Sequence, residues 1–158
     1  MSKEMIFCPE CEKGNLIPRN EAHKVRIGKN RYALSDPVNF LECDKCKETI
    51  FFIKESNKAD STAAKNILRE VLSLKRDLNG EDISFLRTVG DISARELSQR
   101  LKLDDSAVSQ WETRNTSLSF PTALAVAIFF LRKLISDKSE MEKELSKLLQ
   151  LAFDKDAA

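Results

Sequence analysis

Long apolar runs are absent from this sequence. The most apolar stretch is residues 120–135, and its uncharged part is about a dozen residues, whereas a helix that spans a bilayer needs roughly 20. The first residues lead through only a short apolar patch to Cys8, so the start of the chain also lacks the apolar region of a signal peptide. We therefore expect a cytoplasmic protein with no membrane partner, in which residues 120–135 form a buried helix.

An excess of charge of one sign is absent too, and histidine is scarce. The 26 Lys and Arg residues nearly balance the 25 Asp and Glu residues, and the net charge of +1 gives no general attraction to nucleic acid. Residues 80–118 are slightly acidic, with five basic against seven acidic side chains.

His23 is the only histidine, and it cannot serve both as a metal ligand and as a general base. We therefore expect that the protein is not an enzyme.

The four cysteines all lie in the first third of the chain, as two Cys-x2-Cys pairs separated by a long insert. Each such turn presents two thiolates on the same side, and two turns together complete a tetrahedral site for structural Zn²⁺. A reducing cytosol disfavours a disulfide pair, and the lack of a surrounding βαβ pattern disfavours a redox dithiol. His23 is predicted to be a surface residue, because four thiolates already saturate zinc. The predicted ligands are Cys8, Cys11, Cys43 and Cys46.

Residues 1–56 are predicted to form a small zinc-stapled β domain. Alternating apolar runs on either side of Gly28 predict a β-hairpin with its turn at this glycine. The β-prone residues 49–53 predict a further strand, which holds more Ile and Phe than so small a core needs. A sheet of this size cannot bury enough apolar surface to be stable alone, so it needs the metal. Residues 57–60 are predicted to be a linker, because residues 55–60 contain no apolar residue larger than alanine.

Residues 61–158 are predicted to form an all-α domain, which makes the fold class α+β. A first helix, capped by Asp60 or Ser61, is expected to end at residues 79–80. Its apolar positions at helical spacing are Ile67, Leu68, Val71, Leu72 and Leu74. The last helix, predicted over residues 137–153, carries one amphipathic stripe, which indicates either core packing or a dimer contact. The stripe consists of Met141, Leu145, Leu148 and Leu149.

Residues 93–112, SARELSQRLKLDDSAVSQWE, have the layout of a helix-turn-helix. Ser93 is the expected N-cap of its first helix, and Asp104 is the expected N-cap of its second. Leu103 is expected to plug the turn between them. One alternative is a further amphipathic helical pair in an all-α domain. The residues on the predicted outer face of the second helix are Ser106, Ser109 and Gln110.

The segment that follows supports the helix-turn-helix interpretation. After a turn, residues 119–121 open a further helix, and from about residue 78 to residue 134 the chain resembles the Xre/Cro-type helix-turn-helix. By this resemblance, Ser106 and Gln110 occupy base-reading positions, and a glutamine can contact adenine through two hydrogen bonds. Arg114 lies just beyond them and suits a contact with a DNA phosphate.

The two cysteine pairs, CPEC and CDKC, and the segment LNGEDISFLR before the helix-turn-helix together resemble the MqsA family of toxin–antitoxin antitoxins. The N-terminal part of that family is called the YgiT-type zinc finger. The resemblance implies that the zinc domain binds a cognate toxin, while the C-terminal domain forms a homodimer and represses its own operon at a double-stranded DNA operator. In the family, glycine usually follows each cysteine pair, where this chain has Glu12 and Lys47. The alternative is a transcription regulator with the same two domains and no toxin partner.

Overall fold

The structure, a computed structural model, describes the backbone of residues 6–156 and the side chains of residues 6–147 and 150. A small three-stranded antiparallel sheet, in the order β1-β2-β3, is followed by six helices, so the chain is mixed α/β with its strands first, as predicted. The strands are β1 Leu16–Arg26, β2 Tyr32–Cys43 and β3 Thr49–Ile50. The helices are α1 Ile53–Leu72, α2 Gly80–Gly90, α3 Ala94–Arg100, α4 Ala107–Arg114, α5 Phe120–Leu134 and α6 Lys138–Asp156.

Strands β1 and β2 form the predicted hairpin. Their antiparallel register runs from Arg26 opposite Tyr32 at the tip to Leu16 opposite Cys43 at the base, and Gly28 lies in the connecting turn. The predicted strand over residues 49–53 is wrong beyond Ile50. Only two residues of β3 pair with β2, because the chain turns away after them and α1 begins at once.

Residues 57–60, the predicted linker, lie inside α1. The predicted cap at Asp60 or Ser61 is wrong, because α1 begins at Ile53. Polar residues of α1 on either side of this segment bond the sheet. Three polar α1 side chains bond the open edge of β2: Glu55 to the Asn39 N–H at 2.8 Å, Thr62 to the Asp36 N–H at 3.1 Å and Asn66 to the Leu34 carbonyl at 2.8 Å. Backbone groups at a sheet edge need such partners, and here a helix supplies them.

The core is continuous between the sheet and the helices. Val38 and Phe40 of β2 belong to the same buried cluster as Ile67 of α1 and Phe130 of α5. Small residues on α1, such as Ala59, allow the helix to lie close against the sheet. The predicted division of the chain into two domains stays a prediction, but the two parts share packing across α1.

Residues 79–80 begin a helix instead of ending one. Asn79 is the N-cap of α2, and its side chain and that of Asp82 bond each other's backbone N–H groups in a capping box, with both distances 3.1 Å. Helix α1 ends earlier, at Leu72. Leu74, predicted to face the core, has a positive φ of 57° and is 55% exposed.

Helices α5 and α6 lie close to their predicted positions. Pro121 stands in the first turn of α5, whose buried residues are Ala123, Val126, Ala127, Phe130 and Leu131. Helix α6 is tied to α1 by two nitrogen–oxygen contacts between Arg69 and Glu144, at 2.9 and 3.2 Å, and by Lys65 with Glu140 at 3.0 Å. Of the predicted α6 stripe, Met141 is half-buried and Leu145 is exposed, while the side chains of Leu148 and Leu149 lie outside the described residues. No helix in the described part of the chain is both long and apolar enough to cross a membrane.

Candidate metal centre and helix-turn-helix

The four predicted cysteine ligands meet in one cluster at the base of the hairpin. The Sγ atoms of Cys8 and Cys46 are 3.7 Å apart, those of Cys11 and Cys43 are 3.6 Å apart, and all four lie within 4.8 Å of one another. These separations exceed the bond length of about 2.05 Å in a disulfide. They match the spacing of about 3.8 Å between ligands that surround one ion tetrahedrally at about 2.3 Å. The cluster can therefore hold a single metal ion.

Two similar backbone turns bring these thiols together. The N–H of Glu12 donates to the Cys8 carbonyl at 3.0 Å, and the N–H of Lys47 donates to the Cys43 carbonyl at 3.2 Å. Both donors have a left-handed backbone, with φ of 55° and 64°. A side chain in this conformation is disfavoured by roughly 1–2 kcal/mol, which explains why glycine suits the position. The chain adopts the turn without glycine, and no ligand is displaced.

Glycine is required at position 14, next to the cysteine cluster, because there is no room there for a side chain. A Cβ added at Gly14 would collide with the sulfur of Cys43 and approach the Asp44 carboxylate to 2.7 Å. Asp44 in turn accepts a hydrogen bond from the N–H of Asn15 at 2.9 Å, which links the second cysteine turn to the start of β1. The two cysteine turns, Cys8 to Glu12 and Cys43 to Lys47, which we call knuckles, are therefore packed directly against each other.

The electrostatics of the cluster favour a cation at its centre. The pKa of the Cys11 thiol is lowered to about 6, chiefly by a hydrogen bond from the backbone of Lys13, against the effect of burial. The backbone of Glu48 lowers the pKa of Cys46, but burial and hydrogen bonds with the other cysteines outweigh it and raise that pKa to about 12. The thiols therefore do not ionise together on their own, because each thiolate opposes the next. A metal ion removes that opposition.

His23 is outside the metal cluster, as predicted, but it is not a surface residue. Its half-buried ring packs edge-on against Phe51, with ring centroids 4.6 Å apart, and against Phe40, at 5.7 Å. Phe51 therefore belongs to a small aromatic group between the sheet and α1. Its neighbour Phe52 is 65% exposed.

The predicted helix-turn-helix corresponds to α3 and α4. The Ser93 hydroxyl accepts a hydrogen bond from the Glu96 N–H at 3.1 Å, which confirms Ser93 as the N-cap of α3. Leu97 and Val108 are fully buried between the helices. The structure adds a bond that the sequence pattern did not indicate: the buried hydroxyl of Ser98 accepts the N–H of Val108 at 3.2 Å. In the sequence, only the presence of a small polar residue on the inner face of the first helix could have suggested this bond.

The predicted start of the second helix is wrong. Asp104 does not cap α4, which begins at Ala107 after the N-cap Ser106. The neighbouring Asp105 carboxylate is bonded by Arg95 at 2.8 Å and by Gln99 at 3.1 Å, so residues 104–106 form a turn that packs on α3. Leu103 is 36% exposed, so it does not plug that turn.

The four predicted DNA-contacting residues lie on the exposed side of α4. Ser106, Ser109, Gln110 and Arg114 are all exposed. The Gln110 amide donates to the Ser106 hydroxyl at 3.1 Å, so these two side chains are ordered relative to each other. Arg114 lies in the last turn of α4, next to the C-cap Asn115.

Much of the positive charge near the exposed side of α4 is neutralised by ion pairs within the chain. Arg87 binds the Glu112 carboxylate through two contacts of 2.6 and 2.9 Å, Arg95 pairs with Asp105, and Arg100 lies 3.7 Å from Glu96. Three of the five basic residues in 80–118 are thus already paired with acidic ones. The two others are Lys102 and Arg114.

The fold and the site together define a chain with a four-cysteine cluster that can hold a metal ion, followed by a pair of short helices whose second member has a polar exposed face. No protein-family model matches this chain, and comparison with curated proteins finds no match. The resemblance to the MqsA family therefore rests on the sequence motifs alone.

Proposed function

We propose that this protein is an MqsA-type antitoxin, which binds a toxin through its metal-bearing part and represses its own operon as a DNA-binding homodimer. The observation that carries the proposal is the pairing of two features in one chain. Two cysteine knuckles meet in a single cluster at the base of the hairpin, and α4 presents Ser106, Ser109, Gln110 and Arg114 to solvent. This is the order of parts that the sequence resemblance implies.

The metal in this proposal is a structural Zn²⁺. Four thiolates are the ligand set that zinc adopts in closed structural sites, and they leave no coordination position for a water or substrate. A catalytic role for the ion is therefore disfavoured. The ion joins the knuckle of Cys8 and Cys11 to that of Cys43 and Cys46, and so holds the base of the hairpin.

The DNA contacts in this proposal come from α4. Gln110 would read an adenine edge, and its hydrogen bond to Ser106 limits the conformations it must lose on binding. Arg114 would contact a phosphate. The ion pairs of Arg87, Arg95 and Arg100 reduce the positive charge available, so we expect modest affinity and a shallow salt dependence.

The toxin surface in this proposal lies near the metal. Large apolar side chains are exposed there, at positions that flank the sheet: Ile6, Phe7, Phe52 and Ile53, with exposures of 54%, 65%, 65% and 80%. Exposed apolar residues that cluster in sequence around a small metal-held sheet are suited to a protein partner. For the homodimer, an open groove of about 370 Å³ lined by Ile128, Leu131, Arg132, Met141 and Leu145 offers apolar surface on α5 and α6.

The test uses the intact protein and the product of the adjacent reading frame. Co-expression should rescue growth and yield a stable complex, and the protein should shift DNA from its own upstream region in a gel at low salt. Gln110→Ala should relax base preference at one position per half-site, whereas Arg114→Ala should weaken all sequences alike. DNA binding without a partner would instead indicate the plain transcription regulator, and loss of both activities would contradict the proposal.

A further inference from the structure

The tip of the hairpin rests on the first turn of α2. Arg31, in the turn between β1 and β2, donates a hydrogen bond to Asp82 at 2.9 Å, and the Asp82 side chain is fully buried. The tip also passes close over Glu81, because a Cβ added at Gly28 would collide with the Glu81 carboxylate. Arg31 and Asp82 are 51 positions apart in the chain. Their contact therefore joins the cysteine-bearing part to α2, the helix that precedes the helix-turn-helix.

Asp82 depends on its cationic partners. Its carboxylate is also bonded by Arg76 and by the N–H of Asn79, which completes the capping box of α2. Burial raises the pKa of Asp82, while Arg76, the Asn79 N–H and Arg31 act in the opposite direction. Without Arg31, Arg76 alone compensates the charge of this buried carboxylate, and part of its stabilisation is lost. Removal of Arg31 should therefore loosen the first turn of α2.

The same turn of α2 holds the end of α4. A Cβ added at Gly80 would collide with the carbonyl oxygen of Trp111, so the two backbones are in direct contact. The N–H of Glu81 donates to the side chain of Asn115 at 3.1 Å, and Asn115 is the C-cap of α4. Consecutive residues of one helical turn thus contact the hairpin on one side and α4 on the other.

We propose that Arg31 is a positioning residue for α4. By holding Asp82 it fixes the first turn of α2, and that turn, through Gly80 and Glu81, sets the orientation of the exposed face of α4. We call the set Arg31, Glu81 and Asp82 the hairpin clamp. The clamp goes beyond the proposed function, since it requires only the packing of one part of the chain on the other. Its consequence for DNA binding does rest on that function.

Trp111 provides the measurement, because it is the only tryptophan and lies in α4, half-buried. In the full, metal-loaded chain, Arg31→Met should raise the acrylamide quenching constant of Trp111 by about twofold. Arg31→Lys should restore the original value, because a single charged donor can reach the carboxylate. The matched control is Arg19→Met, which removes an exposed pair with Glu42 at 3.3 Å on the same sheet and should leave quenching unchanged.

Three further measurements separate positioning from a general loss of structure. Metal content and far-UV circular dichroism should be equal in all variants. In an Asp82→Asn background, which keeps the cap but removes the charge, Arg31→Met should add no further change. If Arg31→Met fails to fold, Arg31→Gln carries the same comparison, because it keeps a donor and loses the charge.

DNA binding gives the second readout. Affinity for DNA from the chain's own upstream region should fall roughly 2- to 30-fold in Arg31→Met and recover in Arg31→Lys. A wild-type protein that binds no DNA would contradict the proposed function, while the Trp111 signal would still decide the clamp. Equal quenching in wild type and Arg31→Met, or an equal rise in Arg19→Met, would overturn the clamp.

Discussion

The two ends of the hairpin are held by opposite kinds of chemistry. At the base, four thiols converge, and they repel one another as soon as they ionise. At the tip, Arg31 and Arg76 converge on the buried Asp82, so the chain itself supplies both signs of charge. The base is therefore suited to a cation from solution, whereas the charges at the tip are already paired within the chain. Strands about 36 Å long, at 3.3 Å per residue, connect the candidate metal site to this paired one.

The largest effect is expected from the loss of a cysteine at the base of the hairpin. Cys43→Ser should release the metal, which in metal-dependent folds contributes on the order of 10–16 kcal/mol. Because Val38 and Phe40 of the same strand belong to the core shared with α1, the helical part should also lose stability. Elemental analysis should find about one zinc per wild-type chain and none in the variant, and thermal unfolding should begin at a much lower temperature. Glu48→Gln, an exposed neighbour, is the control. A metal-free Cys43→Ser protein that melts like wild type would contradict this prediction.

The second-largest effect is expected from the loss of the buried carboxylate at the tip of the hairpin. Asp82→Ala leaves two arginines without their buried partner and removes half of the capping box of α2, so we expect a loss of about 3–5 kcal/mol in the free energy of unfolding. Urea denaturation measures this loss. Metal content should be unchanged, in contrast to Cys43→Ser. Loss of metal together with stability would show that the two ends are not independent.

The third prediction concerns the pH dependence of metal binding at the base of the hairpin. Metal binding requires thiolates, and the pKa of Cys11 is about 6 while that of Cys46 is about 12. Lowering the pH from 8 towards 6 should therefore weaken metal binding by about tenfold per pH unit for each proton that the metal must displace. Competition with a chelator at several pH values, with proton release followed by an indicator dye, measures this dependence. Metal affinity that is constant over this range would contradict it.

The smallest effect concerns an ion pair away from both ends of the hairpin. A hydrogen bond from Arg69 lowers the pKa of Glu144, so this pair contributes stability above the usual pKa of a glutamate. The contribution is lost as the pH falls through the lowered pKa. Glu144→Gln should reduce stability by about 1 kcal/mol at neutral pH and have less effect at pH 3. Denaturation curves at both pH values measure the difference, with the exposed Glu142→Gln as control. An equal effect of Glu144→Gln at the two pH values would show that ionisation of Glu144 is not the cause.

Structural features that depend on residues close together in the sequence could be predicted. The spacing of the two cysteine pairs predicted which four side chains meet, because each turn closes within a few residues. The hairpin about Gly28 and the N-cap at Ser93 are equally local, since each depends on bonds between residues close in sequence. The exposed positions of Ser106, Ser109 and Gln110 followed from helical periodicity.

Features set by distant partners were not predictable from the pattern. Residues 57–60 were predicted to be a linker because they are polar, and only the packing of α1 on the sheet, with Ala59 buried, shows that they belong to a helix. Asp104 was predicted to cap α4, but the helix begins at Ala107, and the turn before it is bonded to α3 through Asp105 and Arg95. In both places a local preference worth about 1 kcal/mol did not decide where the helix begins.

The spacing of the cysteines in the sequence was enough to predict which four thiols meet, and the local patterns predicted a hairpin before a helical pair, because short-range geometry leaves few alternatives there. The tertiary structure alone decided that Arg31 meets Asp82 and that Gly80 lies against Trp111. The physical reason is that burial created these contacts. Arg31 and Asp82 are ordinary surface residue types in the sequence, and only the shared core along α1 places them 2.9 Å apart in a site where a lone charge is unstable.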